Sequence, residues 1–155
     1  MFDDFKELLS AFNAQSVKYL IVGGYAVSFH AQPRATKDIF IQADPGNARA
    51  TYAALAAFGA PLNDLSESDL ADPQKFIRFG KPPIAVDILA GIDGVEFNQA
   101  WERRVEAVID ESTGLTAYFI SKRDLIDSKL AAGRLRDLAD VEEIREANSS
   151  EQQSG

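Results

Sequence analysis

Apolar side chains recur along the chain with two periods, one near 3.6 residues and one of 2, and each change of period marks a new element. Phe2, Phe5, Leu8, Leu9 and Phe12 fall at helical spacing and predict an amphipathic helix over 2–14. VKYLIV, 17–22, is short, apolar and β-branched, the pattern of a buried strand, and Gly23-Gly24 closes it. YAVSFHA continues with a small-residue helical pattern that Pro33 breaks. TKDIFIQ, 36–42, reads as the next strand. Asp44 and Pro45 then supply an N-cap and a first-turn proline for the helix RATYAALAAF, which Gly59 ends.

PLNDLSESDLADP, 61–73, is polar and turn-rich and predicts a loop with one helical turn. KFIRFG and PPIAVDILAG read as strands, the second set off by prolines before and glycine after. A helix around FNQAWERR precedes RVEAVID and LTAYFI, a hairpin turning at Glu111-Ser112-Thr113-Gly114. Ser121 caps the helix KRDLIDSKLAA, with Asp124 three residues on as a loose capping box, and Gly133 ends it. LADVEEIREA forms a last helix, and the polar, aromatic-free NSSEQQSG, 148–155, predicts a disordered tail. With no internal repeat or linker, 1–147 reads as a single domain. The alternation predicts an α/β (α+β) fold: a mixed central sheet, flanking helices and a C-terminal helical pair.

Composition narrows the function. The 155 residues are 46% hydrophobic, enough for one domain with a real core. Twenty-four acidic against 16 basic side chains give a net charge of −8, which weakens diffuse attraction to nucleic acid or anionic membrane. Contact with RNA would need a local patch drawn from Arg34, Lys37, Arg103, Arg104, Lys129, Arg134 and Arg136. The lack of cysteine excludes disulfides, thiolate metal sites and a cysteine nucleophile. MFDDFKELL has no basic leader character and no apolar run nears membrane-spanning length, so a cytoplasmic location without a membrane partner is expected.

Three features carry candidate chemistry. Gly23-Gly24 between strand and helix would let backbone approach a phosphate at a helix N-terminus, although such a pair is more often only a tight turn, and neither the Rossmann nor the P-loop glycine pattern is present. Asp38 lies in an apolar strand, sharing a face with Phe40 while Ile39 and Ile41 point the other way. Asp87 lies between Val86 and Ile88 in another. A carboxylate in a buried strand costs several kcal/mol unless paired or metal-bound. One such Asp reads as a strand-end cap; two, after Gly-Gly and an intervening helix, read as a shared divalent-ion site. His30, the only histidine, reads as a packing residue. Phe97, Trp101 and Val105 fall at i, i+4 and i+8, the spacing of a core-facing helix.

The order hydrophobic-Gly-Gly, thirteen residues, Asp-hydrophobic-x-hydrophobic and a later strand Asp resembles the nucleotidyltransferase superfamily, whose sheet is the DNA polymerase β-like palm. LIDSKLAAGRLRDLADVEEI, 125–144, is similar to the lysine helix and Arg-Asp-x-x-Asp segment of the minimal nucleotidyltransferases, including AbiEii-type toxins. The resemblance implies two Mg²⁺ ions held by an Asp-x-Asp strand and a third acid, stabilising the attacking and leaving oxygens of an in-line displacement. Carried over, Gly23 and Gly24 line the phosphates, Asp38 binds both metals and Asp87 supports the catalytic one. Arg34 and Thr36 would hold phosphate or cap the turn, Lys129 would contact triphosphate, and Asp137 would point into the cleft. The rival readings are a solvated Lys129 and a surface pair of Asp137 with Asp140.

The resemblance implies transfer of a nucleotidyl group from a nucleoside triphosphate (NTP) to a hydroxyl of RNA, protein or a small molecule. It also implies a toxin role, with a cognate antitoxin and a tRNA or protein acceptor. Phe40 departs from the pattern: it stands where the second acid belongs, either by replacement or through loss of a dipeptide from a TKDIDIFI-like strand. Either way the two-metal site is one carboxylate short, and Mg²⁺ demands oxygen ligands that Phe lacks. The alternative is a catalytically degenerate binding module of the same fold.

Overall fold

The structure, a computed structural model, describes residues 3–22, 37–80 and 85–154. Helix α1 (Asp3–Ala14) buries Phe5, Leu8, Leu9 and Phe12 on one stripe, as their spacing predicts. Strand β1 (Tyr19–Ile21) pairs antiparallel with β2 (Lys37–Ile41), and β2 pairs in parallel with β4 (Val86–Leu89). Strand β3 (Phe76–Phe79) lies antiparallel to β4 at one edge. The hairpin β5 (Val105–Asp110) and β6 (Leu115–Phe119) completes the other edge, with β6 parallel to β1. The order β3-β4-β2-β1-β6-β5 makes a mixed six-stranded sheet with helices on it, the α+β architecture expected.

Local chemistry fixes the helix ends. Asp44 accepts from the backbone N–H groups of Gly46 and Asn47 at the start of α2 (Pro45–Phe58), and Gly59 closes it at φ 92°. The single turn α3 (Glu67–Leu70) in the 61–73 loop is held by a Ser66–Asp69 capping box. Helix α4 (Phe97–Glu102) stops short of Val105, which instead opens β5, so the helical spacing of Phe97 and Trp101 does not extend to a third member. Helices α5 (Lys122–Ala132) and α6 (Leu135–Ser154) form the C-terminal pair, joined at Gly133 with φ 67°. Helix α6 continues through residues 148–154, where polarity alone predicts disorder, because no glycine or proline interrupts it. Among the described residues no helix is long and apolar enough to cross a membrane.

The period-2 alternation sorts side chains onto two faces. Ile39 and Ile41 of β2 join Val86 and Ile88 of β4 in a core beneath α1 and α2. Phe40 points the other way, into a second core with Leu20, Phe97 and Leu125, closed by α4, α5 and Ile144 of α6. The strand parity read from the sequence therefore holds, and it places Asp38 on the second face.

Candidate functional site

Pairing register builds the centre of the site. In the parallel pair β2/β4, Asp38 stands opposite Asp87; in the antiparallel pair β3/β4, Arg78 stands opposite Asp87. Neighbouring strands lie about 4.8 Å apart, so Arg78, Asp87 and Asp38 form a row across three strands on one face. The next row along that face, Phe76, Leu89, Phe40 and Leu20, is apolar. Sequence reasoning brought Asp38 and Asp87 together but missed Arg78, whose only sequence signal is its place between apolar residues in FIRF.

The two carboxylates sit in different surroundings. The Arg78 guanidinium grips Asp87 with both arms, Nε to Oδ1 at 2.6 Å and Nη2 to Oδ2 at 2.9 Å. Asp38 has no such partner: its Oδ1 is buried and accepts no hydrogen bond. Burial, and then the neighbouring Asp87 charge, push the Asp38 carboxyl up to about 6, against the pull of Lys129, Arg78 and Arg136.

Asp38 lies at one wall of a cleft of about 270 Å³ whose other wall comes from α5 and the start of α6, including Ser128, Lys129, Arg134 and Asp137. Gly91 lines its floor, where a Cβ would run into the Pro73 carbonyl. Lys129 is no solvated lysine. Its Nζ is 3.0 Å from Asp140 Oδ2 and 3.6 Å from Asp137 Oδ1, and both acids are at most 2% exposed. The surface-pair reading of these acids is therefore corrected: three-residue spacing puts both on the face of α6 that packs against α5, where they share the lysine ammonium. Arg134 also grips Asp137, Nε to Oδ2 at 2.6 Å. Burial would raise the Asp137 carboxyl, but Arg134 and Lys129 hold it below the usual carboxylate range.

The proposed basic patch is largely spent on internal partners. Arg103 forks onto the buried Asp124, at 2.9 and 2.7 Å, and Ser121 and Asp124 complete the expected cap of α5. Arg104 stacks over Trp101 with its guanidinium carbon 4.0 Å from the ring centroid. Gly23, Gly24, His30, Arg34, Thr36 and the Lys37 side chain lie outside the described residues.

The donor set does not fit the two-metal centre implied by the resemblance. Both Asp87 oxygens are taken by Arg78, and Phe40, at the second-acid position, is 2% exposed and meets Phe97 edge-to-face with centroids 5.0 Å apart. Among the described residues no three His, Asp or Glu side chains gather to hold a metal.

The mixed six-stranded sheet with helices on it is the architecture that the resemblance implies. No curated protein matches the chain. The family model described as nucleotidyltransferase of unknown function (DUF6036) matches residues 1–149, nearly the whole length. The chain is a member of that nucleotidyltransferase family.

Proposed function

We propose that this chain is a nucleotidyltransferase-fold binding module that takes a nucleoside phosphate in the cleft between β2 and α5 without two-metal transfer. The observation that carries this reading is the burial of Phe40 in an aromatic pair with Phe97, which fills with hydrocarbon the position where the family pattern needs a carboxylate. Lys129 and Arg134 line this cleft and keep N–H groups beyond those they give to Asp137 and Asp140, and these remaining donors would meet the phosphate oxygens. Calorimetric titration with ATP, GTP, CTP and UTP, beside transfer of labelled nucleotide in lysate with Mg²⁺, tests it. Binding without transfer is the expected result. Metal-dependent transfer that disappears in Asp38→Asn overturns it.

A specific observation favours a second reading, residual transfer. The bare Oδ1 of Asp38, on a carboxyl near 6, suits removal of a proton from an acceptor hydroxyl, whose oxygen then attacks the α-phosphorus as pyrophosphate leaves. Under that reading the resemblance to AbiEii-type minimal nucleotidyltransferases extends to a toxin with a cognate antitoxin and a tRNA or protein acceptor. With Arg103, Arg104, Lys129 and Arg134 all engaged, a protein or small-molecule hydroxyl is the better acceptor than tRNA.

A further inference from the structure

The mismatch between this site and two-metal ligation has a specific cause on β3. We infer that Arg78 is the built-in counter-ion of the strand pair, standing where a divalent cation would otherwise bridge Asp87 and Asp38. The inference rests on the reading that this chain has given up two-metal transfer, and it names the group that took over the positive charge.

Three observations support it. Antiparallel register puts Arg78 directly across from Asp87, and parallel register puts Asp38 on the far side of Asp87, so the guanidinium closes one end of a row of two acids, pairing with Asp87 and acting on Asp38 only through its field. The contact is a two-armed fork of charge-assisted hydrogen bonds that engages both Asp87 oxygens, so a metal ion on either one would sit against the guanidinium charge. Arg78 nevertheless has a side chain 64% exposed, whereas that of Asp87 is 15% exposed. A side chain anchored mainly at its charged tip is positioned by the carboxylate, not by packing. An arginine cannot shed its proton at ordinary pH, so the replacement charge is permanent, unlike a metal in exchange with solvent.

Arg78→Met removes the charge and keeps much of the stem, and Arg78→Gln is a second neutral variant should the first fold poorly. The probe is Mn²⁺ alone, its bound fraction read from loss of the free-ion electron paramagnetic resonance signal. Even at the dielectric of water, a unit charge about 4 Å from a divalent ion weakens binding by roughly tenfold or more. Wild-type protein is therefore expected to bind Mn²⁺ at least about tenfold more weakly than either variant. Adding Asp87→Asn to Arg78→Met should abolish the gain. Equal Mn²⁺ affinity in wild type and variants, whether tight or undetectable in both, overturns the inference. So does tight binding by the wild type that Asp87→Asn removes. Because the readout is ion binding, its failure is distinct from failure of the binding-module reading, which nucleotide titration judges.

Discussion

Replacing Asp38 by Asn should stabilise the folded protein above neutral pH, an unusual outcome for a substitution at the centre of a site. The Asp38 carboxyl moves from 3.8 to about 6 on folding, mainly because burial disfavours its ionised form. At about 1.4 kcal/mol per unit, a shift of roughly two units means that ionised Asp38 costs the folded state about 3 kcal/mol. The sign follows from proton counting. Between pH 4 and 6 the folded chain holds a proton that the unfolded chain has released, so stability present below pH 4 is lost as pH rises through 6. Asn keeps the shape of the side chain and never ionises. Urea unfolding of wild type and Asp38→Asn at intervals from pH 4 to 8 measures the difference. It should be near zero at pH 4 and grow to about 2–3 kcal/mol in favour of the variant by pH 7.5. A difference that stays flat with pH, or an Asp38→Asn variant less stable than wild type at pH 7.5, would refute the claim that burial outweighs the nearby cations at Asp38.

Phe40→Asp, which restores the acidic pattern on paper, should destabilise by roughly 4 kcal/mol or more, since it removes a buried ring and inserts an unpaired charge beside Phe97. Unfolding midpoints check this, and a stable variant that gains Mg²⁺-dependent transfer would contradict it. Lys129→Met takes from the buried Asp137 and Asp140 the cation they share, leaving Arg134 on Asp137, and should cost roughly 3 kcal/mol at pH 7. Urea unfolding of wild type and variant at pH 7 checks this, and equal midpoints would contradict it. Gly91→Ala drives a methyl into the Pro73 carbonyl beneath the cleft and should cost about 1–3 kcal/mol, visible as a lower melting temperature; an unchanged melting temperature would mean that the 73–75 turn yields freely.

The chain's own patterning determined much of this molecule. The periods of 2 and 3.6 fixed which side of β2 carries Asp38 and Phe40, because successive strand residues must alternate faces. Capping residues such as Asp44 and Ser121 marked helix starts, since free backbone N–H groups need local acceptors. The spacing of Gly-Gly, Asp38, Asp87 and Lys129 was enough to point to the family. Tertiary structure alone decided how these charges are matched. Arg78 meets Asp87 through the register of an edge strand, and Lys129 meets Asp137 and Asp140 through the packing of α5 on α6. A solvated and a buried lysine share one helical pattern, so sequence could not separate them. Nor could the gap at position 40 be read as open or closed until Phe97 was seen against it. Periodicity is a property of the local backbone, legible from neighbours in the chain. Pairing of charge with charge and ring with ring depends on residues tens of positions apart, whose separation is set only when the sheet and helices close together.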